Sequence, residues 1–563
     1  MSRRKGKHME KEIRIDKNKW IFLPIQATPA GEKADNRVLE IFCREETLEK
    51  KLFEFQIPVG DAVGETYPAS YYARFPVKQF ANQTLILRGE LPEAFFNAVK
   101  TIEGQEQEGA LRRPSLHFTP ERGWMNDPNG LVYADGYYHL YFQYNPFDVQ
   151  WENMCWGHAV SRDLLHWEQK DTVLFPDENG TMFSGSGIIN ERNMLGLPEH
   201  ALVFFYTAAG GANPWSKGKE YTQRIAYSVD GGETLIKTEM GVLPTVSAEN
   251  RDPKVFWHEE SGAYIMVLWL EKNDFGIFRS KDLKDWRMSH RIKLEGAWEC
   301  PDLVRLEQEN GEQVWMFWSA DGYYFWGDFD GYCFKTDGVR HQAYINRIPY
   351  AAQTYSGVTG RVISVPWLRI SNNGRTYTGA MGLPREFRVC SREGQKVLVQ
   401  LPVREYEQAK QLVYDSSALR QGDNGDLRDL AMQSGYEKCV LDKAEERAQD
   451  ILIEETEEIL CVKAEKGAVE LQVIRLTEET SFTCCFGEIE VSYEADSGKL
   501  SVGTETFETG KNIRDFFFLL DDVILEVTAG GGTVLGVFEV PDLTEEICVQ
   551  KNSFERIQIF REC

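Results

Sequence analysis

The chain has 563 residues, too many for one ordinary domain and enough for two or three with sizeable cores. An apolar fraction of 42 % argues against disorder, and a net charge of −25 makes nucleic acid a poor partner, because phosphate binding needs clustered Lys and Arg. No window approaches the roughly 20 apolar residues of a membrane span, so no membrane contact is expected.

Residues 1–19 are charged and polar, and no apolar run follows that could form the core of a signal peptide; the expected location is the cytoplasm. The eleven cysteines are odd in number, scattered and without a C-x-x-C spacing, which reads as free thiols. The adjacent Cys484 and Cys485 read as strand residues.

From about residue 12 to 105, short apolar runs such as 20–25 and 38–42 are separated by turn residues and charges, which predicts a small, mostly β module. Residues 92–102 are expected to form one short helix with Pro92 in its first turn. The stretch 103–113, rich in Glu, Gln and Gly, reads as a linker. From residue 116 to about 387 aromatics become dense, and strand-like runs recur at 130–144, 201–206, 262–270 and 314–318. Ser161-Arg-Asp-Leu-Leu-His-Trp167 resembles Ser280-Lys-Asp-Leu-Lys-Asp-Trp286, and Ser228-Val-Asp-Gly-Gly232 is a partial third copy. Such a repeat in an all-β region points to a β-propeller, with Trp167 and Trp286 in the blade cores; chance likeness between common turn motifs is the alternative. From about residue 397 to the end, short alternating strands at 468–476, 489–493 and 523–527, with a tight turn at 530–532, read as a β-sandwich. The acidic run 450–458 reads as a solvated face. The chain thus divides into 1–112, 113–390 and 391–563.

Three acidic residues occupy similar settings: Asp127 in Trp124-Met-Asn-Asp-Pro-Asn-Gly130, Asp252 in Asn250-Arg-Asp-Pro-Lys254, and Glu299 in Trp298-Glu-Cys-Pro-Asp302. Each is followed within two positions by Pro, which forces a turn and would set each carboxylate near a strand end. Any one of them alone reads as a turn residue. Together, on separate blades converging on a central channel, they offer what glycoside hydrolysis needs: one carboxyl to protonate the leaving oxygen and one to attack or to activate water, about 5–5.5 Å apart in a retaining enzyme. Glu299, between Trp298 and Cys300, is the better candidate for the acid, which belongs in a less polar pocket; amides surround Asp127.

The central region resembles glycoside hydrolase family 32, which comprises invertases, levanases and exo-inulinases. The resemblance rests on an ordered series: His117-Phe-Thr-Pro120, Trp124 to Gly130, Phe142-Gln-Tyr-Asn-Pro146, Trp156-Gly-His-Ala159, Phe183-Ser-Gly-Ser186, Arg251-Asp-Pro253, Glu299-Cys300, Ala351-Ala-Gln-Thr354 and Leu383-Pro-Arg-Glu386. It implies an all-β fold, with a five-bladed β-propeller followed by a C-terminal β-sandwich and, here, an additional small N-terminal module. It implies Asp127 as nucleophile, Glu299 as acid/base catalyst and Asp252 as transition-state stabiliser, with Asn126, Gln143, Trp151, Phe183, Ser184, Arg251 and Cys300 binding substrate. The implied activity is a retaining, exo-acting β-fructofuranosidase that removes terminal β-D-fructofuranosyl residues from sucrose, fructo-oligosaccharides, inulin or levan with no metal or other cofactor. The alternatives on the same scaffold are a fructosyltransferase and a non-catalytic sugar-binding protein. The expected partners are β-fructoside sugars, and self-association would use the accessory regions.

The chain departs from the family pattern at Cys155, where levanase-like members often carry His, a change expected to alter the pocket rim. The segment 346–350 also lacks the acidic residue expected before Ala351. Gly327-Asp-Phe-Asp-Gly331 reads as a structural turn rather than a cation loop. His158 is expected to support the pocket by hydrogen bonding. Trp215 and Trp326 are expected in loops where they could stack on sugar rings.

Overall fold

The computed structural model describes residues 8–17, 19–45, 48–60, 66–103, 112–419, 451–464, 467–541 and 546–562. Most of the expected linker (104–111) and Asp450 of the acidic run lie outside the described residues. The chain forms two compact units, one of Met1–Arg112, Phe118–Gln342 and Pro349–Pro384, the other of Arg113–His117, Ala343–Ile348 and Arg385–Cys563.

The first unit begins with a mostly β module. A sheet of Met9–Arg14, Thr84–Gly89, Asn36–Glu45 and Leu48–Pro58 accompanies a second of Tyr71–Pro76, Trp20–Ile25 and Lys100–Ile102. The helix is shorter than expected: it spans Glu93–Ala98, Pro92 is its N-cap, and Lys100–Ile102 is a strand. Val99 is already extended, and the residues after it gain ladder partners in Trp20–Phe22. Here tertiary pairing overrides helix continuation. The apolar faces of the module share one core with Phe147, Val149, Cys155 and Phe175 of the part that follows, around Phe55 and Phe75.

That part is a series of antiparallel meanders, the blades of a β-propeller. The first run takes in Gly123–Ala134, Tyr137–Asn145, Cys155–Ser161 and Trp167–Gln169, and the second Thr181–Ile189, Leu202–Ala209, Tyr221–Ser228 and Ile236–Leu243. Arg251–His258, Ala263–Glu271, Asp274–Ser280 and Arg287–Lys293 follow, then Asp302–Glu307, Gln313–Trp318, Tyr323–Phe329 and Phe334–Thr336. Pro349–Thr354 and Val362–Leu368 pair next. The stretch 130–144 is two strands, split by the left-handed Asp135 and Gly136. Thr181–Ile189 lies beside both Gly123–Ala134 and Arg251–His258, Asp302–Glu307 lies beside Pro349–Thr354, and Pro349–Thr354 returns against Gly123–Ala134.

The serine repeat is a real structural unit. Ser161, Ser228 and Ser280 each end the third strand of a sheet, and each hydroxyl donates to the Asp two residues on, at 3.0, 2.7 and 3.0 Å. The same capped turn therefore recurs at the same place in three blades, which sets aside chance likeness. Trp286 is partly buried and packs against a core shared by the second and third blades, where it meets Phe205, and Trp167 lies against Phe118.

In the second unit, the described strands of residues 410–562 form two sheets. One runs Lys410–Asp415, Phe554–Glu562, Val469–Arg475, Asp515–Asp521, Ile524–Ala529 and Val534–Glu539; the other Ile451–Glu455, Ile459–Ala464, Glu546–Gln550, Phe482–Phe486, Ile489–Glu494, Lys499–Val502 and Glu505–Glu508. Their alternating apolar residues, among them Phe482, Tyr493, Phe516 and Phe518, fill one core, so this is the expected sandwich. The expectation of free thiols is corrected here. Cys461 and Cys548 face each other directly across neighbouring strands and form a disulfide. Their separation of 87 positions hid the pair from the sequence. Cys484 and Cys485 are strand residues, the first buried.

Candidate active site

The pocket is built from irregularities in the opening strands. The pairing register slips between Met125 and Pro128, Phe183 and Gly185, Arg251 and Lys254, and Tyr350 and Gln353. Each slip is a bulge, and a bulge re-aims the residues it extrudes. Those residues include Asp127, Ser184, Asp252, Ala351 and Ala352, which line one narrow pocket together with Cys300 and Gln353. Pro128 and Pro253 therefore lie inside strands, not in turns as the sequence suggested. An inner strand has a free edge at the bulge and tolerates a residue without N–H. Gly185 is required in its bulge, because a Cβ there would come within 1.8 Å of the Phe205 carbonyl oxygen.

Asp252, Glu299, Cys300 and Ala351 all have positive φ, at 64, 47, 38 and 49°. Non-glycine residues seldom hold that conformation, and it concentrates where surrounding structure forces a functional geometry.

The two aspartates converge on Cys300. Its Sγ lies 3.5 Å from both Asp127 Oδ2 and Asp252 Oδ2, and its backbone N–H donates to Asp252 Oδ2 at 3.1 Å. Asp127 also accepts from the Ser184 hydroxyl at 2.6 Å and from Asn126 Nδ2 at 3.2 Å; the Asn126 oxygen is fixed in turn by Trp124 Nε1. The Thr207 hydroxyl accepts from the Asp252 N–H. Glu299 sits to one side: Arg251 Nη2 donates to its Oε1 at 2.5 Å and the Tyr350 hydroxyl to its Oε2 at 2.9 Å. The Arg251 guanidinium is stacked 4.0 Å from the Trp269 ring centre.

Burial raises the Asp127 carboxyl, with Ser184 opposing and Glu299 adding to it. Asp252, 7 % exposed, is pushed up to about 7 by burial; Arg251 opposes, and the negative Glu299 and Asp127 add. Burial, with Asp127 and Asp252 beside it, pushes the Cys300 thiol well up, so it stays a neutral donor. The apolar surroundings expected for Glu299 are not what it has. Its neighbour Trp298 is 38 % exposed, and its own carboxylate, 21 % exposed, is gripped by a guanidinium and a phenol.

The other expected residues divide. Phe183 lies between Trp151 and Tyr221, with ring centres 6.1 and 5.7 Å away, and Trp151 is 49 % exposed. Gln143 is buried and donates to the Met182 carbonyl. His158 is a core residue rather than a support of the pocket: it is fully buried, 3.1 Å from His139 Nδ1 and stacked on Tyr141. Cys155 is also away from the rim, buried in the core shared with the N-terminal module. Trp326 is a buried strand residue against Tyr324, and Lys51 covers the Trp215 ring at 4.8 Å. Asp330 caps its own turn through the N–H groups of Tyr332 and Cys333, as a structural turn requires.

Sequence reasoning missed Tyr350, Lys254 and Asp302. Lys254 and Asp302 are buried and paired at 3.0 Å, and both bond Thr354. They tie three inner strands together beneath the pocket. A signal existed: Lys254 stands two places beyond Asp252, and Asp302 three places beyond Glu299. Among the described residues, Asp127, Asp252 and Cys300 have donor atoms within 4.8 Å of one another, close enough to share a cation.

Residues 117–402 match the model of the glycosyl hydrolases family 32 N-terminal domain. The chain is 37 % identical over 329 residues to a levanase of Bacillus subtilis, covering 52 % of this chain and 47 % of that one. It is 37 % identical over 294 residues to an invertase of Debaryomyces hansenii, covering 47 % and 54 %. It thus spans about half the length of these curated relatives. The exo-inulinase structure from Aspergillus awamori superposes with a TM-score of 0.63 at 23 % identity, over 80 % of this chain and 98 % of that one. A family 32 glycoside hydrolase structure from Bifidobacterium adolescentis gives 0.62 at 18 % identity over 98 % and 99 %, a likeness of fold that extends over the N-terminal module. With its family model covering more than half of its length, the chain belongs to glycosyl hydrolase family 32.

Proposed function

We propose that the protein is a retaining, exo-acting β-fructofuranosidase. The observation that carries the reading is the pocket in which Asp127 and Asp252 meet at Cys300, with Glu299, the residue before Cys300, held beside it by Arg251 and Tyr350. Asp127 attacks the anomeric C2 of a terminal fructosyl unit. Glu299 gives its proton to the glycosidic oxygen, the C2–O bond breaks, and a fructosyl ester on Asp127 forms. Glu299 then takes a proton from water, which attacks C2 and frees Asp127. Asp252 accepts hydrogen bonds from fructose hydroxyls and stabilises the oxocarbenium-like charge. Ser184 and Asn126 hold Asp127 in line; Arg251 and Tyr350 hold Glu299. Every step is done by side chains and water.

A levanase, an invertase and exo-inulinases among the relatives support β-fructosides as the substrate class. The test is chromatography of products after incubation with sucrose, kestose, inulin and levan, for wild type and Glu299→Gln in parallel. Fructose from wild type alone is expected, and the order of rates ranks the substrates. Fructosyl transfer to sugar as the main product at low substrate concentration, or no release from any of the four, contradicts the reading.

A further inference from the structure

The N-terminal module grips the loop that carries Trp151. This loop joins Tyr137–Asn145 to Cys155–Ser161, and its neighbours across the rim are Phe183 and, one residue on, Ser184, which bonds Asp127. On the module side, Thr28 donates to the buried Asp148 carboxylate twice, from its N–H at 2.9 Å and its hydroxyl at 2.7 Å. Asn153, buried and at a φ of 50°, forms a two-way bond with the Gln56 backbone at 2.7 and 2.8 Å. Gln150 Nε2, immediately before Trp151, donates to the Glu32 carbonyl at 2.7 Å. Phe147 and Val149 sink into the module core, where Phe147 meets Phe55 with ring centres 4.4 Å apart. Residues on both sides of Trp151 are therefore anchored, while Trp151 itself is left half exposed with its ring beside Phe183.

An exposed indole on an unsupported loop would lose conformational freedom on stacking against a sugar, and that loss weakens binding. A loop fixed beforehand avoids it. We propose that the N-terminal module is a positioning element for substrate, holding the Trp151 loop so that the indole meets the sugar at the mouth of the pocket. Asn153 and Thr28 are the positioning residues, acting through Trp151. This rests on the fructosidase reading above.

The test is a double-mutant cycle in the full-length chain with sucrose and kestose as substrates. Asn153→Ala is measured in wild-type and Trp151→Ala backgrounds, and Thr28→Val in the same two backgrounds as a module-side variant that keeps the Thr28 N–H bond. Asn153→Ala is expected to lower kcat/KM by about tenfold, mainly through KM. In the Trp151→Ala background the further loss should be under about twofold, because the two act through one contact. Thr28→Val should give a smaller loss that also vanishes in that background, and it decides the matter if Asn153→Ala does not fold. Equal losses in both backgrounds, or unchanged KM in folded variants, would overturn the proposal. Absence of fructosidase activity in the wild type would instead overturn the functional reading beneath it.

Discussion

Arg251 Nη2 and Glu299 Oε1 are 2.5 Å apart, joining two motifs that lie 48 positions apart in sequence. The guanidinium is held flat over Trp269, and Tyr350 holds the second carboxylate oxygen. Glu299 is thereby fixed in place by two donors, one guanidinium N–H and a hydroxyl. Removing the Tyr350 hydroxyl should loosen the carboxyl while leaving substrate contacts alone. Tyr350→Phe is expected to reduce kcat by about tenfold to a hundredfold with little change in KM, measured by initial rates on sucrose. Arg251→Lys, which keeps the charge but loses the planar fork and the stacking, should cost at least as much.

Asp252 gives a stability prediction of opposite sign to its catalytic one. Its folded value is about 7, above the ordinary carboxylate range, so between roughly pH 4 and 7 the folded state binds more protons than the unfolded state. Stability must fall as pH rises through that window. Asp252→Asn removes the titration and keeps an acceptor for the Cys300 N–H. It should be more stable than wild type by a few kcal/mol at pH 8 and scarcely different at pH 4, while losing activity. Denaturant melts at the two pH values check this.

His117 anchors a buried ion cluster in the second unit. Its Nδ1 is 2.8 Å from Asp521 Oδ2 and its Nε2 is 3.1 Å from Glu526 Oε1, and Arg385 also pairs with Glu526. Burial alone would lower the imidazole, but the two carboxylates outweigh it and raise it to about 9. A raised folded value stabilises fully below the unfolded value near 6.5 and loses that effect as pH rises through about 9. Arg385 and His117 hold Glu526 down at about 2 against its burial, so its contribution, present above the ordinary range near 4.3, disappears only as pH falls through about 2. His117→Gln should therefore lower the melting temperature most at pH 6, with the gap to wild type closing toward pH 10.

Asp302→Asn would leave Lys254 buried without its counter-charge. Breaking a buried pair from one side costs about 3–5 kcal/mol. The double variant Lys254→Met with Asp302→Leu should recover much of that stability, which equilibrium unfolding would measure.

The architecture was legible because its signals are local. Strand runs, Ser-x-Asp turns and alternating apolar residues each need only a few neighbouring positions, and all became strands, turns and cores. The acidic residues of the site were legible for the same reason, each beside its Pro. What the sequence hid was long range. The Cys461–Cys548 pair, the Glu299–Tyr350 contact and the Lys254–Asp302 pair each depend on register between distant strands. Residues 92–102 failed as one helix because Trp20–Ile25 offered the second half a strand partner. His158 and Trp326 looked functional as isolated residues, but inward-facing strand positions made them core.

The most direct test of the account is the rate of fructose release from sucrose by wild type, Asp127→Asn and Glu299→Gln, each shown to be folded by circular dichroism. Measurable release by wild type and losses of at least about a thousandfold in both variants are expected. Release by Asp127→Asn at a rate near that of wild type would contradict Asp127 as the nucleophile and, with it, the retaining mechanism built on the three carboxylates.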